Sequence, residues 1–160
     1  MIRMQATPRS AVWRQAHLGR LAELARQRFD ARVLALMARN AELALSLSHL
    51  AARGKLGASH IQITRHLAED GSGLTELARQ AGITKQAMGK LVDQCAAWGL
   101  VERQPDPRDA RGVRIVFTDN GRQWLDAYRQ AVEQAEAEFR LAVGPEVATV
   151  VLLGLEAYVA

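Results

Sequence analysis

The chain has 160 residues, of which 49% are hydrophobic and 24% charged, enough to bury a core and too apolar for a disordered chain. No run reaches the roughly 18 apolar residues of a membrane span. The N-terminal MIRMQATPRS lacks the apolar block of a signal peptide, and Cys95, the one cysteine, has no partner for an internal disulfide. The expectation is a cytoplasmic protein with no membrane partner. The net charge of +4 is unevenly spread: +7 over residues 1–56, −1 over 57–73, +2 over 74–118 and −4 over 119–160. A basic first third and an acidic last third attract each other, within one chain or between two copies. The alternative is solvated charge on unrelated faces.

Residues 10–39 are expected to form one helix. Ser10 suits the N-cap, and Trp13, His17, Leu21, Leu24, Phe29, Val33, Leu36 and Met37 make an apolar stripe at helical spacing. Residues 41–53 are Ala/Leu-rich and read as partly helical, until Gly54 and Gly57 break the pattern; residues 40–57 have no assigned role. Helix resumes over 58–69 and ends in the turn Asp70-Gly71-Ser72-Gly73.

Residues 74–92, LTELARQAGITKQAMGKLV, read as two short helices meeting at a sharp turn. Ala78 is small where the helices cross, and Gly82 supplies the turn's unusual backbone. Leu74, Leu77, Ile83, Met88 and Leu91 give the shared core, and Thr75 and Thr84 stand where N-caps are needed. The second helix runs to Trp98 and stops at Gly99. Two short strands follow, LVER and VRIVF, joined by the polar loop QPDPRDARG. Val113, Ile115 and Phe117 share one strand face, Arg114 and Val116 the other. A hairpin directly after a helix-turn-helix is a wing, and its arginines suit the negative potential of a minor groove.

Residues 119–142 form a periodic helix: Leu125, Tyr128, Val132, Ala135, Phe139 and Ala142 follow a 3, 4, 3, 4, 3 spacing. That is the seam of a helix packed lengthwise on another. Gly144-Pro145 ends this helix and starts the next. The last helix, 146–159, is apolar nearly all round, which demands burial on most sides. Two readings follow: a subunit interface with the basic N-terminal helix, or packing on the chain's own core.

The stretch 74–125 resembles the DNA-binding core of the MarR family of bacterial transcription regulators. The run Asp106-Pro107-Arg108-Asp109-Ala110-Arg111 is similar to that family's D-x-R-D-x-R wing signature. The step Phe117-Thr118-x-x-Gly121 into a long helix is similar too. The likeness is detailed over the central third and holds in outline to both ends, although the N-terminal part, about 57 residues before the helix that precedes the motif, is longer than is usual for the family. It implies a mainly α fold with a small β-hairpin wing. A winged helix-turn-helix lobe (58–118) would stand on a helical dimerisation region formed by both termini (1–57 and 119–160).

The expected function is sequence-specific binding of double-stranded DNA by a homodimer acting as a repressor, released by a small aromatic or apolar effector. Thr84, Lys85, Gln86, Ala87, Lys90 and Gln94 face away from the core of the recognition helix. Lys85 or Lys90 can donate to guanine, Gln86 can pair with adenine and the Ala87 methyl can touch thymine; the lysines can equally meet only phosphate. Ser72 and Thr75 stand where backbone N–H groups could reach phosphate. In the wing, Arg108 or Arg111 is expected in the minor groove, with Arg103 and Arg114 nearby; Asp106 and Asp109 would orient the arginines rather than touch DNA. With only +2 on the lobe, two copies on a two-fold axis would read a palindrome with half-sites about one turn (~10 bp) apart. Trp13, Leu21, Leu125, Tyr128, Val132, Phe139, Val151 and Leu155 are the expected dimer contacts. Trp13, His17, Met37 and His49 could line an effector pocket.

An enzyme is not expected: His17, His49, His60 and His66 have no metal spacing, and there is no phosphate loop. Neither metal nor cofactor is expected. The alternatives are a redox-responsive regulator acting through Cys95, or a winged helix used only for protein contacts.

Overall fold

The computed structural model describes residues 9–40, 57–107 and 109–160, with side chains over 13–40, 57–107 and 112–160. Two helices open the chain, α1 (Arg9–Ala16) and α2 (Leu18–Met37). The single helix expected over 10–39 breaks at His17. Its backbone turns extended (φ −79, ψ 153), and its ring Nδ1 accepts the Arg20 N–H at 3.3 Å, capping α2. His17 is thus an N-cap, a role usually taken by Ser, Thr, Asp or Asn. Asp30, Val33 and Met37 form the buried face of α2. Residues 41–53 and His49 lie outside the described residues.

The next helix is shorter than 58–69. It is α3 (Ile61–His66), ended by an extended Leu67 that is buried instead of continuing the helix. The expected turn at 70–73 is half turn and half strand. Gly71 has φ 96, and Ser72–Gly73 forms β1, pairing with Ile115 and Arg114. Then come α4 (Leu74–Gln80), α5 (Lys85–Ala97), β2 (Val101–Asp106) and β3 (Asp109–Phe117). The sheet is antiparallel in the order β1-β3-β2, so β3 is central. A sequence with a two-residue strand carries almost no period-2 signal, which is why β1 was not legible.

The chain returns through α6 (Asp119–Val143) and α7 (Pro145–Val159), which bend through 119° at Gly144. Thr118 caps α6: its Oγ1 accepts the Gly121 N–H at 3.0 Å and donates to the Gly99 carbonyl. A Cβ at Gly121 would overlap the Leu100 carbonyl oxygen, so only glycine lets α6 leave the wing this closely. The core joins Met88, Val92 and Cys95 of α5 to Ile115 and Phe117 of β3 and Trp124 of α6. Val33 and Met37 of α2 and Ile63 of α3 complete it.

The α6 face differs from the expected seam. Gly121, Trp124, Ala127, Ala131 and Ala135 are the buried residues, while Leu125, Tyr128, Val132 and Phe139 are half-buried and Ala142 is exposed. Small residues let α2 approach closely, and the bulky seam residues flank that contact. Arg32 of α2 holds Glu138 of α6 through two hydrogen bonds of 2.7 Å. Of α7, only Ala148 is buried; Val150 (70% exposed), Leu153 and Tyr158 stand in the open. Among the described residues, packing on the chain's own core therefore does not cover the last helix.

Candidate nucleic-acid interface

The helix-turn-helix forms as its residue types require. Ala78 is buried where α4 crosses α5, its carbonyl takes the Ile83 N–H at 3.1 Å, and Gly82 turns the chain at φ 66. Thr84 caps α5, its Oγ1 accepting from Ala87 N at 3.1 Å. Thr75 is no cap; Gly73 occupies that position on α4 and Thr75 is exposed in its first turn. Ser72 is also displaced from the expected site. It is buried in β1, and its Oγ accepts the Ala68 N–H at 3.2 Å.

Met88, Val92 and Cys95 anchor one face of α5, three to four residues apart. That leaves Thr84, Lys85, Gln86, Ala87 and Lys90 exposed together at the other face and at the N-terminal end. The helix dipole and open N–H groups make this end positive, and Lys85 and Lys90 form no ion pair among the described residues. Gln94 is exposed but bonded to the ring Nε2 of His60 at 2.9 Å. His60 Nδ1 accepts the Gly57 N–H at 3.0 Å and the ring stacks tilted on Trp98. Gln94 therefore serves the lobe's own packing.

In the hairpin the arginines divide. Arg103 donates to Asp93 of α5 at 2.7 Å, tying the hairpin's first strand to that helix while staying 42% exposed. Arg114 is 15% exposed and donates to the Asp70 and Gly71 carbonyls, with the Asp70 carboxylate 3.3 Å away. It pins β3 to the turn before β1 and is not available to a groove, which corrects its expected DNA role. Neighbouring strand register explains this: Arg114 pairs with Gly73, so its side chain lies over the 70–71 turn. Asp106 sits opposite Asp109 at a register shift that bends the hairpin tip. Arg108 and the side chains of Asp109 and Arg111 lie outside the described residues. Sequence reasoning passed over Arg79, an exposed cation on α4 held by Glu76 at 2.7 Å.

The expected effector residues do not converge. His17 borders a shallow groove of about 400 Å³ beside α1 and the start of α2, with Arg14, Arg20, Glu23 and Leu24. Trp13 is its exposed neighbour, ring centroid 6.0 Å from His17. Met37 is buried in the core instead, because it lies about five turns farther along α2, on the face that meets the lobe. Cys95 is fully buried, and burial pushes its thiol up to about 12.

Residues 65–112 match the family model described as MarR family. No curated protein matches the sequence. Among solved structures, the chain is similar to wild-type apo MarR from E. coli, at 22% identity and TM-score 0.66, covering 89% of this chain and 97% of that one. It is similar to the transcriptional regulator BldR from Sulfolobus solfataricus, at 21% identity and TM-score 0.64, covering 94% of each chain. The transcriptional repressor CouR bound to a 23-mer DNA duplex matches at 19% identity and TM-score 0.65, covering 97% of this chain and 100% of that one. CouR from Rhodococcus jostii RHA1 bound to p-coumaroyl-CoA matches at 18% and 0.66, covering 90% and 92%. These likenesses give the fold: mostly helical, with a small antiparallel wing sheet.

Proposed function

We infer that this chain, which carries the winged helix-turn-helix of the MarR family, is a cytoplasmic, homodimeric regulator that binds a palindromic site in double-stranded DNA. One observation carries the reading: the N-terminal face of α5 holds Thr84, Lys85, Gln86, Ala87 and Lys90 exposed together, on a helix whose other face is locked in the core. A recognition helix needs both properties, donors free for base edges and a rigid seat. Thr75 at the start of α4 stands by a phosphate, and the wing arginines Arg108 and Arg111 enter the minor groove, oriented by Asp106 and Asp109. Residues 58–118 are the DNA-binding lobe and the segments 1–57 and 119–160 the dimerisation region. In the second copy, Trp13, Leu21, Val151 and Leu155, all at least 40% exposed in the single chain, find their cover, flanked by Leu125, Tyr128, Val132 and Phe139.

A small effector releases the DNA. CouR, of the same fold, is known bound both to a DNA duplex and to p-coumaroyl-CoA, and the groove at His17 and Trp13 is the candidate seat here. A thiol switch at Cys95 is disfavoured, since a buried thiol held near 12 supplies almost no thiolate.

The experiment is selection of bound sequences from random DNA, followed by a small-molecule screen for release. Lys90→Ala and Arg111→Ala are then compared on selected and random duplexes. A base-reading side chain should lose about 1–3 kcal/mol on the selected site and erode its advantage over random DNA. A phosphate contact should lower both alike. Unchanged binding in both variants would refute this surface, and absence of salt-sensitive DNA binding would favour a protein-contact module.

A further inference from the structure

We propose that Asp30 is a positioning residue whose ion pair with Arg65 sets the angle of the DNA-binding lobe on the dimerisation helices, and hence the half-site spacing read; this rests on the reading above. Asp30 lies mid-way along α2 and is 2% exposed. Its Oδ1 accepts from Arg65 Nη2 of α3 at 2.7 Å, and its Oδ2 from Arg26 Nη1 of its own helix at 3.0 Å. Arg26 is fixed in turn by Glu23, through bonds of 3.1 and 2.8 Å. Tyr128 of α6 lies beside the Arg65 guanidinium. One carboxylate thus gathers α2, α3 and the flank of α6.

An ion pair with one partner buried adds little net stability over apolar side chains of similar volume, because desolvating the carboxylate offsets the attraction. What it adds is direction. Val33 and Met37 meet Ile63 and Leu67 in the same core, but apolar contacts tolerate sliding. Two oxygens facing two guanidinium groups do not. The lobe is also joined to the helical region where β3 runs into α6, at Thr118 and Gly121. That join and the apolar contacts leave the rotation loosely set; the Asp30–Arg65 pair supplies a directional attachment and fixes it. In a dimer that rotation determines the separation of the two α5 helices.

The test uses full-length wild type, Asp30→Asn and Arg65→Gln on duplexes carrying one selected half-site, or two at the preferred spacing or shifted by one or two base pairs. Thermal melting is followed alongside. Both variants should bind the single half-site within about twofold of wild type. Each should lose about tenfold or more at the preferred spacing, with a flattened preference among spacings. Retention of the wild-type spacing preference, or an equal loss on every duplex, overturns the proposal. Should Asp30→Asn fail to fold, Arg65→Gln, at a side chain 30% exposed, decides alone. If wild type itself shows no spacing preference, the dimeric DNA-reading function fails and the inference with it. A preference kept by the variants sinks the inference only.

Discussion

Single side chains carry most of what is specific to this chain. His17 ends one helix and caps the next, and Thr118 links the Gly99 carbonyl to the first turn of α6. Arg32 and Glu138 show how a surface pair reads out in titration. Hydrogen bonds from Arg32, and then from Gln134, hold the Glu138 carboxyl down to about 2, from an ordinary 4.5. A carboxylate with a lowered folded-state pKa stabilises the fold above its unfolded pKa, and that contribution fades as pH falls through the folded value. The window is therefore pH 4.5 down to 2. NMR titration of the Glu138 carboxyl should give a midpoint near 2, and Arg32→Ala should return it toward 4.5. Arg32→Ala should therefore lower stability at neutral pH, by an amount that solvent screening at this surface keeps small, and leave it unchanged below pH 2. A wild-type midpoint near 4.5 would contradict the pairing. Gly121 makes the opposite kind of prediction. Its Cβ would meet backbone, which cannot swing aside, so Gly121→Ala should cost about 3 kcal/mol in urea unfolding.

At the scale of elements, α5 and α7 are opposites. Helix α5 buries one stripe and leaves a polar face for a partner; α7 buries Ala148 and leaves aliphatic side chains in the open. An apolar helix in that state needs a cover. Leu155→Asp and Val151→Asp, at residues 42% and 40% exposed in the single chain, should shift light-scattering mass toward the monomer while circular dichroism keeps its helical signal. A dimer of unchanged stability in both would remove α7 from the interface. The wing is tied down at its base, by Arg103 to α5 and by Arg114 to the 70–71 turn. Both bonds fix where the hairpin tip points, which is a use of arginine that spacing along the chain does not distinguish from a groove contact.

At the scale of the whole molecule, charge and symmetry act together. The lobe is nearly neutral, and the acidic last third repels phosphate, so affinity should come from few cations used twice. The slope of log K against log[salt] should correspond to about 0.9 per neutralised phosphate, and a monomeric Leu155→Asp protein should show about half the wild-type slope. Equal slopes would mean that one lobe makes all the contacts.

Much of this architecture was legible in residue order. Small Ala78, Gly82 and capping Thr84 specify the helix-turn-helix, and Gly144-Pro145 the last bend, because turn and cap chemistry is local. The exposed face of α5 follows from its 3.6-residue period in the same way. What only the tertiary structure decided depends on distant partners. Strand β1 exists because β3 is there to pair with it. Arg114 is spent on carbonyls 43 and 44 residues away. The buried stripe of α6 runs through Trp124 and alanines rather than the bulkier seam, since α2 needed room to approach. Asp30 reads as an ordinary helix-surface acid until α3 brings Arg65 onto it. Periodicity tells which residues share a face; only packing tells which neighbour that face meets.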